Sequence, residues 1–140
     1  MITAERYHDI SCGHRVVGHE GKCKNLHGHN YRIHFGLTAD KLDSVGRVID
    51  FSIIKYLLCD WLEKNYDHKF LVWQEDPLLN QLQMIDPKGI VVVPYNPTAE
   101  NIADWVMYSV APKQLKGTGC ILEYIRIEET RKCSVTIKKR

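Results

Sequence analysis

Two periodicities divide this chain. From Tyr31 to Leu37, apolar Tyr31, Ile33, Phe35 and Leu37 alternate with Arg32, His34 and Gly36, which predicts a half-buried strand over 30–39. Residues 2–11 read as extended, with a more mixed pattern. After the turn-rich stretch Lys41 to Arg47, the period changes to that of a helix. Ile53, Ile54, Leu57, Leu58, Trp61 and Leu62 form one stripe, with Asp50 or Ser52 as N-cap and an end near Asn65. Residues 72–89 carry Pro77, Pro87 and Gly89 and read as an irregular connection with a short helical turn around Leu78 to Gln81. Ile90 to Val93 is a short buried strand stopped by Pro94 and Pro97. A second helix starts at Thr98 as N-cap, with Glu100 in its first turn. It buries Ala99, Ile102, Ala103, Val106 and Val110 and ends at Pro112. Gly117 to Gly119 is a turn, and strands follow over 120–129 and 133–138. The order is two strands, helix, short strand, helix, two strands: one α+β domain over 1–140 with antiparallel strands.

Composition narrows the partners more than the fold. The chain has 140 residues, with 19 basic and 17 acidic side chains for a formal charge of +2, too balanced for nucleic-acid binding driven by charge. The basic end Lys138-Lys139-Arg140 is too short to alter that. No apolar run approaches ~20 residues and the first residues lack a signal-peptide core, so no membrane partner is expected and the expected location is cytoplasmic. The five cysteines are scattered, and no C-x-x-C pair occurs. Cys59 falls on the helical stripe as a small buried hydrophobe.

Chemistry concentrates in Cys23-Lys24-Asn25-Leu26-His27-Gly28-His29. On a strand His27 and His29 point to the same side, and Gly28 adds no bulk to the other. With His14 upstream, three imidazoles and no obvious fourth ligand make the pattern of a catalytic zinc with one open position. The Cys23 thiol lies close in sequence. Its neighbours Lys22 and Lys24 argue for an exposed, electropositive loop rather than an inert core cysteine. His8, His19 and His34 read as surface or supporting residues.

Six blocks in order carry a family resemblance: His14; Cys23-x3-His27-Gly28-His29-Asn30-Tyr31; Val48-Ile49-Asp50-Phe51; Asp67-His68; Pro97-Thr98-Ala99-Glu100-Asn101; and Glu129-Thr130. Together they span nearly the whole chain, which resembles the 6-pyruvoyl-tetrahydropterin synthase superfamily. The three residues between Cys23 and His27 are similar to the spacing of its bacterial 6-carboxy-tetrahydropterin synthase branch, whereas the animal-type pyruvoyl enzymes have a longer one. A folate-pathway relative has glutamate in place of Cys23. Tyr66 departs from the leucine usual before Asp67-His68.

The resemblance implies a tunnelling fold: a four-stranded antiparallel sheet with two helices on one face. Subunits assemble into a barrel and form a homohexamer, a dimer of trimers with active sites at subunit interfaces. It implies one Zn2+ per subunit on His14, His27 and His29, with Cys23 moving a proton beside the metal. Asp67 and His68 would act as an acid–base pair. Glu129, preferred over Glu128 by the Glu-Thr motif, would be the pterin anchor, through a bidentate match to the ring. Thr98 would cap its helix or also touch the pterin. The triphosphate requires Lys or Arg, with Arg15, Lys22 and Lys24 as candidates. The implied reaction converts 7,8-dihydroneopterin triphosphate to 6-carboxy-5,6,7,8-tetrahydropterin, releasing acetaldehyde and triphosphate. It is a step of 7-deazaguanine synthesis of the queuosine type. The alternatives are the pyruvoyl-forming elimination of triphosphate and a non-catalytic metal- or pterin-binding module.

Overall fold

The alternation over 31–37 builds the centre of the molecule. In the computed structural model, which describes residues 1–140, β1 (Ala4–His14) and β2 (His27–Ala39) form a long antiparallel pair. Strand β2 begins at His27, so the metal-ligand motif is part of the strand. Strands β5 (Cys120–Glu128) and β6 (Ser134–Lys138) continue the antiparallel sheet, with a bulge at Gly36/Leu37 where the Tyr124 ring lies over Gly36.

The four-stranded expectation is corrected here: the sheet has six strands, in the order β4-β3-β1-β2-β5-β6. Strand β3 (Lys69–Trp73) pairs parallel to β1, and β4 (Ile90–Val93) pairs parallel to β3. The antiparallel arrangement therefore holds for β1, β2, β5 and β6 alone. The apolar run Phe70-Leu71-Val72-Trp73 marks β3 in the sequence, but its second half falls in the stretch read as irregular. Leu71 and Val72 are fully buried, as residues of an inner strand should be.

Three helices accompany the sheet. Helix α1 runs Phe51–Ile54, through a wide π turn at Lys55–Cys59, to Asp60–Asn65. Asp50 caps it, its side chain accepting from the Ser52 N–H. Helix α2 is Leu79–Ile85, longer than the single turn expected. Helix α3 runs Ala99–Trp105, a π turn at Val106–Val110, then Ala111–Gln114. Pro112 does not end it. The wide turn precedes the proline, which stands in the first turn of the last segment, where its missing N–H does least harm. The π turns also have a packing reason. Buried Ile54, Leu58 and Leu62 recur every four residues, which drifts by about 40° per turn on an α-helix. One wider turn brings the stripe back toward the sheet. Val106 and Val110 repeat the spacing in α3.

Residues of even number in β1 and odd number in β2 face α1 and α3, as do Cys120 and Leu122 of β5 and, across the bulge where the parity switches, Ile125 and Ile127. Ile10, Tyr31, Ile33, Phe35, Leu37, Ile125 and Ile127 form this core with the helix stripes. The opposite face carries Tyr7, Asp9, Ser11, Asn30, Arg32, His34, Arg126 and Glu128. Both ends of the His14–His27 pairing fall on the core side. That places three histidines at the edge of a hydrophobic interior.

Candidate metal centre and adjoining groove

His27 and His29 project from β2 toward the helices, and His14 projects beside them from the end of β1. Gly28 lets the strands close: a Cβ there would sit 3.0 Å from the Cys12 carbonyl oxygen. The ring centroids lie 4.5 Å (His14–His27), 5.1 Å (His14–His29) and 5.0 Å (His27–His29) apart. One ligand atom from each converges within 4.8 Å of the other two. His14 Nδ1–H donates to the Pro97 carbonyl at 2.6 Å, and His27 Nδ1–H donates to the Asn25 carbonyl at 2.7 Å. Those carbonyls fix the tautomer and leave both Nε2 lone pairs facing inward. The Nε2 atoms of His14, His27 and His29 are buried without a hydrogen-bond partner. Burial pushes the pKa of His14 and of His29 below the usual histidine value, favouring the neutral, ligating form. Three imidazoles with orphaned, convergent nitrogens fit a borderline divalent cation such as zinc, with room for a further ligand.

Glu129 reaches this centre, its Oε1 lying 3.4 Å from His29 Nε2. It stands one residue past β5 on the inward alternation of Ile125 and Ile127, as its position in the sequence predicts. Cys23 sits in a one-turn helix, Lys22–Lys24, that docks through its carbonyl on the Val16 N–H. Its thiol is half-buried and free, close enough to add to the raised pKa of Tyr31, which burial and then Glu129 dominate. Arg15 braces this turn. Its guanidinium grips Asp76 through two bonds, 2.7 and 2.9 Å, and donates to the Lys24 carbonyl. Arg15 is thus committed to Asp76 and is withdrawn as a triphosphate-binding candidate.

Asp67 and His68, the expected acid–base pair, occupy the other side of the sheet. His68 Nδ1–H donates to Asp67 Oδ2 at 2.7 Å, and Asp67 Oδ1 accepts from the Ser11 N–H at 2.8 Å. The His68 N–H donates in turn to the Ser11 carbonyl at 2.6 Å. These bonds hold His68 at φ 59°, a left-handed conformation that costs a non-glycine residue about 1 kcal/mol. Burial opposes ionisation of Asp67, but the Ser11 and His68 hydrogen bonds outweigh it and lower its pKa. The pair lines an open groove of about 980 Å³, together with Ser11, Asn30, Arg32 and Arg131. His29 and Glu129 also line it, so the groove meets the metal centre at their position. No hydrogen bond or ion pair links Cys23 to Asp67 or His68, and Cys23 does not line the groove. Thr98 caps α3 by accepting from the Asn101 N–H, beside the Pro97 that orients His14; it too lies outside the groove. Sequence reasoning missed Ser11, whose backbone holds Asp67 and His68, and Arg131, a second groove cation beside Arg32, two residues past Glu129. Neither carries a pattern of its own. Asn30 and Tyr31 were within the quoted motif without a role.

The remaining histidines are supporting residues. His8 meets Glu63 at 2.7 Å, His19 accepts from the Gly21 N–H, and His34 lies between Glu5 and Glu128. Cys59 is fully buried, and burial pushes its thiol up to about 11.

A three-histidine centre at the edge of such a sheet could hold a metal ion. The model of the family described as 6-pyruvoyl tetrahydropterin synthase matches residues 3–140, and the chain belongs to that family. Among its relatives, a Rickettsia felis protein named 6-carboxy-5,6,7,8-tetrahydropterin synthase is 35% identical over 138 residues, covering 98% of this chain and 100% of that one. A Haemophilus influenzae protein of the same name is 32% identical, covering 76% of this chain and 79% of that one. Among solved structures, an uncharacterized Wolinella succinogenes protein superposes with a TM-score of 0.86 at 21% identity, covering 99% of this chain and 98% of that one. The Caenorhabditis elegans 6-pyruvoyl tetrahydropterin synthase does so at 0.72 and 23%, covering 99% and 96%. These last two likenesses support the fold.

Proposed function

We propose that the chain is a zinc-dependent carbon–carbon lyase acting on 7,8-dihydroneopterin triphosphate. It would form 6-carboxy-5,6,7,8-tetrahydropterin with release of acetaldehyde and triphosphate, a step of 7-deazaguanine synthesis. The observation that carries the reading is the end-to-end match to the Rickettsia felis protein of that name. The convergent histidines and the nearby thiol and carboxylate are consistent with it.

His14, His27 and His29 would hold the cation, which when bound supplies Lewis-acid polarisation of the substrate's side-chain oxygens. The protein's own groups do the rest. Glu129 accepts hydrogen bonds from the pterin's amino group and ring N–H and so sets the depth of the ring. Cys23, acting as its thiolate, takes a proton from the side chain and becomes the neutral thiol. The Asp67 carboxylate keeps the His68 imidazole in one orientation, so that Nε2 is free to pass a proton. Thr98 holds the start of α3 and so the Pro97 carbonyl against His14. Cys23 and the Asp67–His68 pair do not touch within one chain, which accords with a homohexamer whose sites form between subunits. The exposed side chain of His68 is consistent with that role.

Product analysis tests the reading. Zinc-loaded protein given 7,8-dihydroneopterin triphosphate should yield acetaldehyde and the carboxylated pterin by mass spectrometry. Chelator should abolish both, and Cys23→Ala should slow turnover by at least about a hundredfold, the usual range for a lost proton-transfer group. A pyruvoyl product without acetaldehyde would assign the chain to the other branch.

A further inference from the structure

The metal centre accounts for three of the four buried polar side-chain atoms that lack a partner. The fourth is the hydroxyl of Tyr31. Its side chain is almost completely enclosed, 2% exposed, yet nothing in the fold accepts from or donates to its oxygen. A buried hydroxyl left unpaired is unfavourable, so its presence calls for a partner that arrives from outside. Phenylalanine would fill the same volume without that cost.

Its surroundings define the partner. Residues 27, 29 and 31 project to one side of β2, so Tyr31 follows the two histidines in the same row. Its ring stands edge-on to His14 (centroids 5.9 Å, 80°) and to His29 (5.5 Å, 75°). The β2–β5 register pairs Arg32 with Glu128; one further step sets Glu129 opposite Tyr31 on that side. The phenol is therefore enclosed by the cation-holding histidines, the carboxylate placed to anchor the ring, and the half-buried thiol turn. A phenol is a donor at neutral pH. A donor between a cation site and a ring anchor suits an oxygen on the substituent that runs from one to the other.

We infer that Tyr31 is a substrate-orienting donor: its hydroxyl hydrogen-bonds a side-chain hydroxyl of the pterin and so selects substrates that carry one. The inference rests on the pterin reading above. It makes Tyr31 part of the discrimination between hydroxylated and bare pterins, separate from the ring recognition assigned to Glu129.

The test is Tyr31→Phe in the zinc-loaded, full-length protein, titrated by fluorescence with neopterin, which has a trihydroxypropyl side chain, and with 6-methylpterin, which has no hydroxyl. Neopterin affinity should fall about 3- to 10-fold, the worth of one neutral hydrogen bond, while 6-methylpterin affinity stays within twofold. Zinc content should be unchanged, and the ligand-free melting temperature should equal or exceed that of the wild type, because an unpaired hydroxyl has been removed. An equal loss for both pterins, no loss for neopterin, or a lower melting temperature would overturn the inference. If the wild type binds neither pterin, the pterin reading itself has failed, a result separable from any effect of the substitution.

Discussion

His29 and His34 lie five residues apart on the same strand and end in opposite chemical situations. His34 faces the polar side of the sheet, where Nδ1 meets Glu5 at 3.1 Å and Nε2 meets Glu128 at 2.5 Å. Around it Arg32 grips Asp9 through two bonds and stacks over Tyr7, and Tyr124 donates to Glu5. His29 faces the core side, where its Nε2 has no hydrogen-bond partner, as is true of His14 and His27. Residue type is the same; parity along the strand decides the outcome. On the solvated face polar groups find each other. On the buried face they are held apart, at about 1–3 kcal/mol for each unsatisfied group. Local stability given up in one place and not in the other is the mark of a site.

The sharpest way to break the comparison is to remove one histidine from each face. His29→Ala should leave the chain unable to retain a divalent cation through chelator competition. It should also lower turnover by about a thousandfold, equivalent to the loss of about 4 kcal/mol of transition-state stabilisation. His34→Ala should keep both metal content and turnover. If His34→Ala also released the metal, the two faces would not be independent and the assignment would fall.

A second test asks whether burial alone, rather than lack of a partner, distinguishes the site. Asp76 is buried but fully paired with Arg15, with a further bond from the Leu78 N–H. Burial works against its charge, but Arg15 and that N–H prevail and its pKa is lowered. Its carboxylate therefore contributes stability above the ordinary carboxylate pKa, and that contribution is lost as pH falls through the lowered folded value. Asp76→Asn should cost about 3 kcal/mol near neutrality by stranding the guanidinium, and its stability should decline less than the wild type's below about pH 4. Metal affinity should change little, because the pair braces the Cys23 turn and touches no ligand. Thermal melts from pH 3 to 7, with chelator titrations at neutral pH, measure both.

What the sequence disclosed follows the same division. The alternation over 31–37 and the stripe from Ile53 to Leu62 are local patterns tied to one face, and they located β2, α1 and the inward side of His27 and His29. Asp50 and Thr98 were legible as caps because capping involves only the next few residues. The third histidine was legible as one more imidazole upstream of the pair, and Glu129 through the Glu-Thr motif together with the alternation of Ile125 and Ile127. Strand β3 was not, because a short parallel strand buried on both faces has no alternation to read, and its proline-rich surroundings resemble a loop. Continuation of α3 past Pro112 was hidden for a related reason: a π turn is set by packing of the whole stripe, not by any residue in it. Arg15 looked like a phosphate ligand because its partner, Asp76, is far along the chain. Tyr31 read as one more core aromatic until the absence of any partner for its hydroxyl could be seen.

The smallest effect is expected where the comparison says partners are exchangeable. Arg32 and Asp9 are each about half exposed, 45% and 52%, so their pairing is screened by solvent despite good geometry. Arg32→Gln removes the ion pair and the contact with the Tyr7 ring but leaves no buried charge stranded, since Asp9 can turn to water. The cost should be small, a shift of about 3 °C or less in melting temperature for a chain of this size. The difference from wild type should shrink further in high salt. Metal content should be unaffected, because Arg32 and the histidine centre share no partner. A shift several times larger, and insensitive to salt, would mean that the polar face is itself enclosed in the working enzyme. The contrast would then lie between two buried surfaces, one internally satisfied and one not. A melt of Arg32→Gln beside wild type at low and high salt distinguishes a solvated face from an enclosed one.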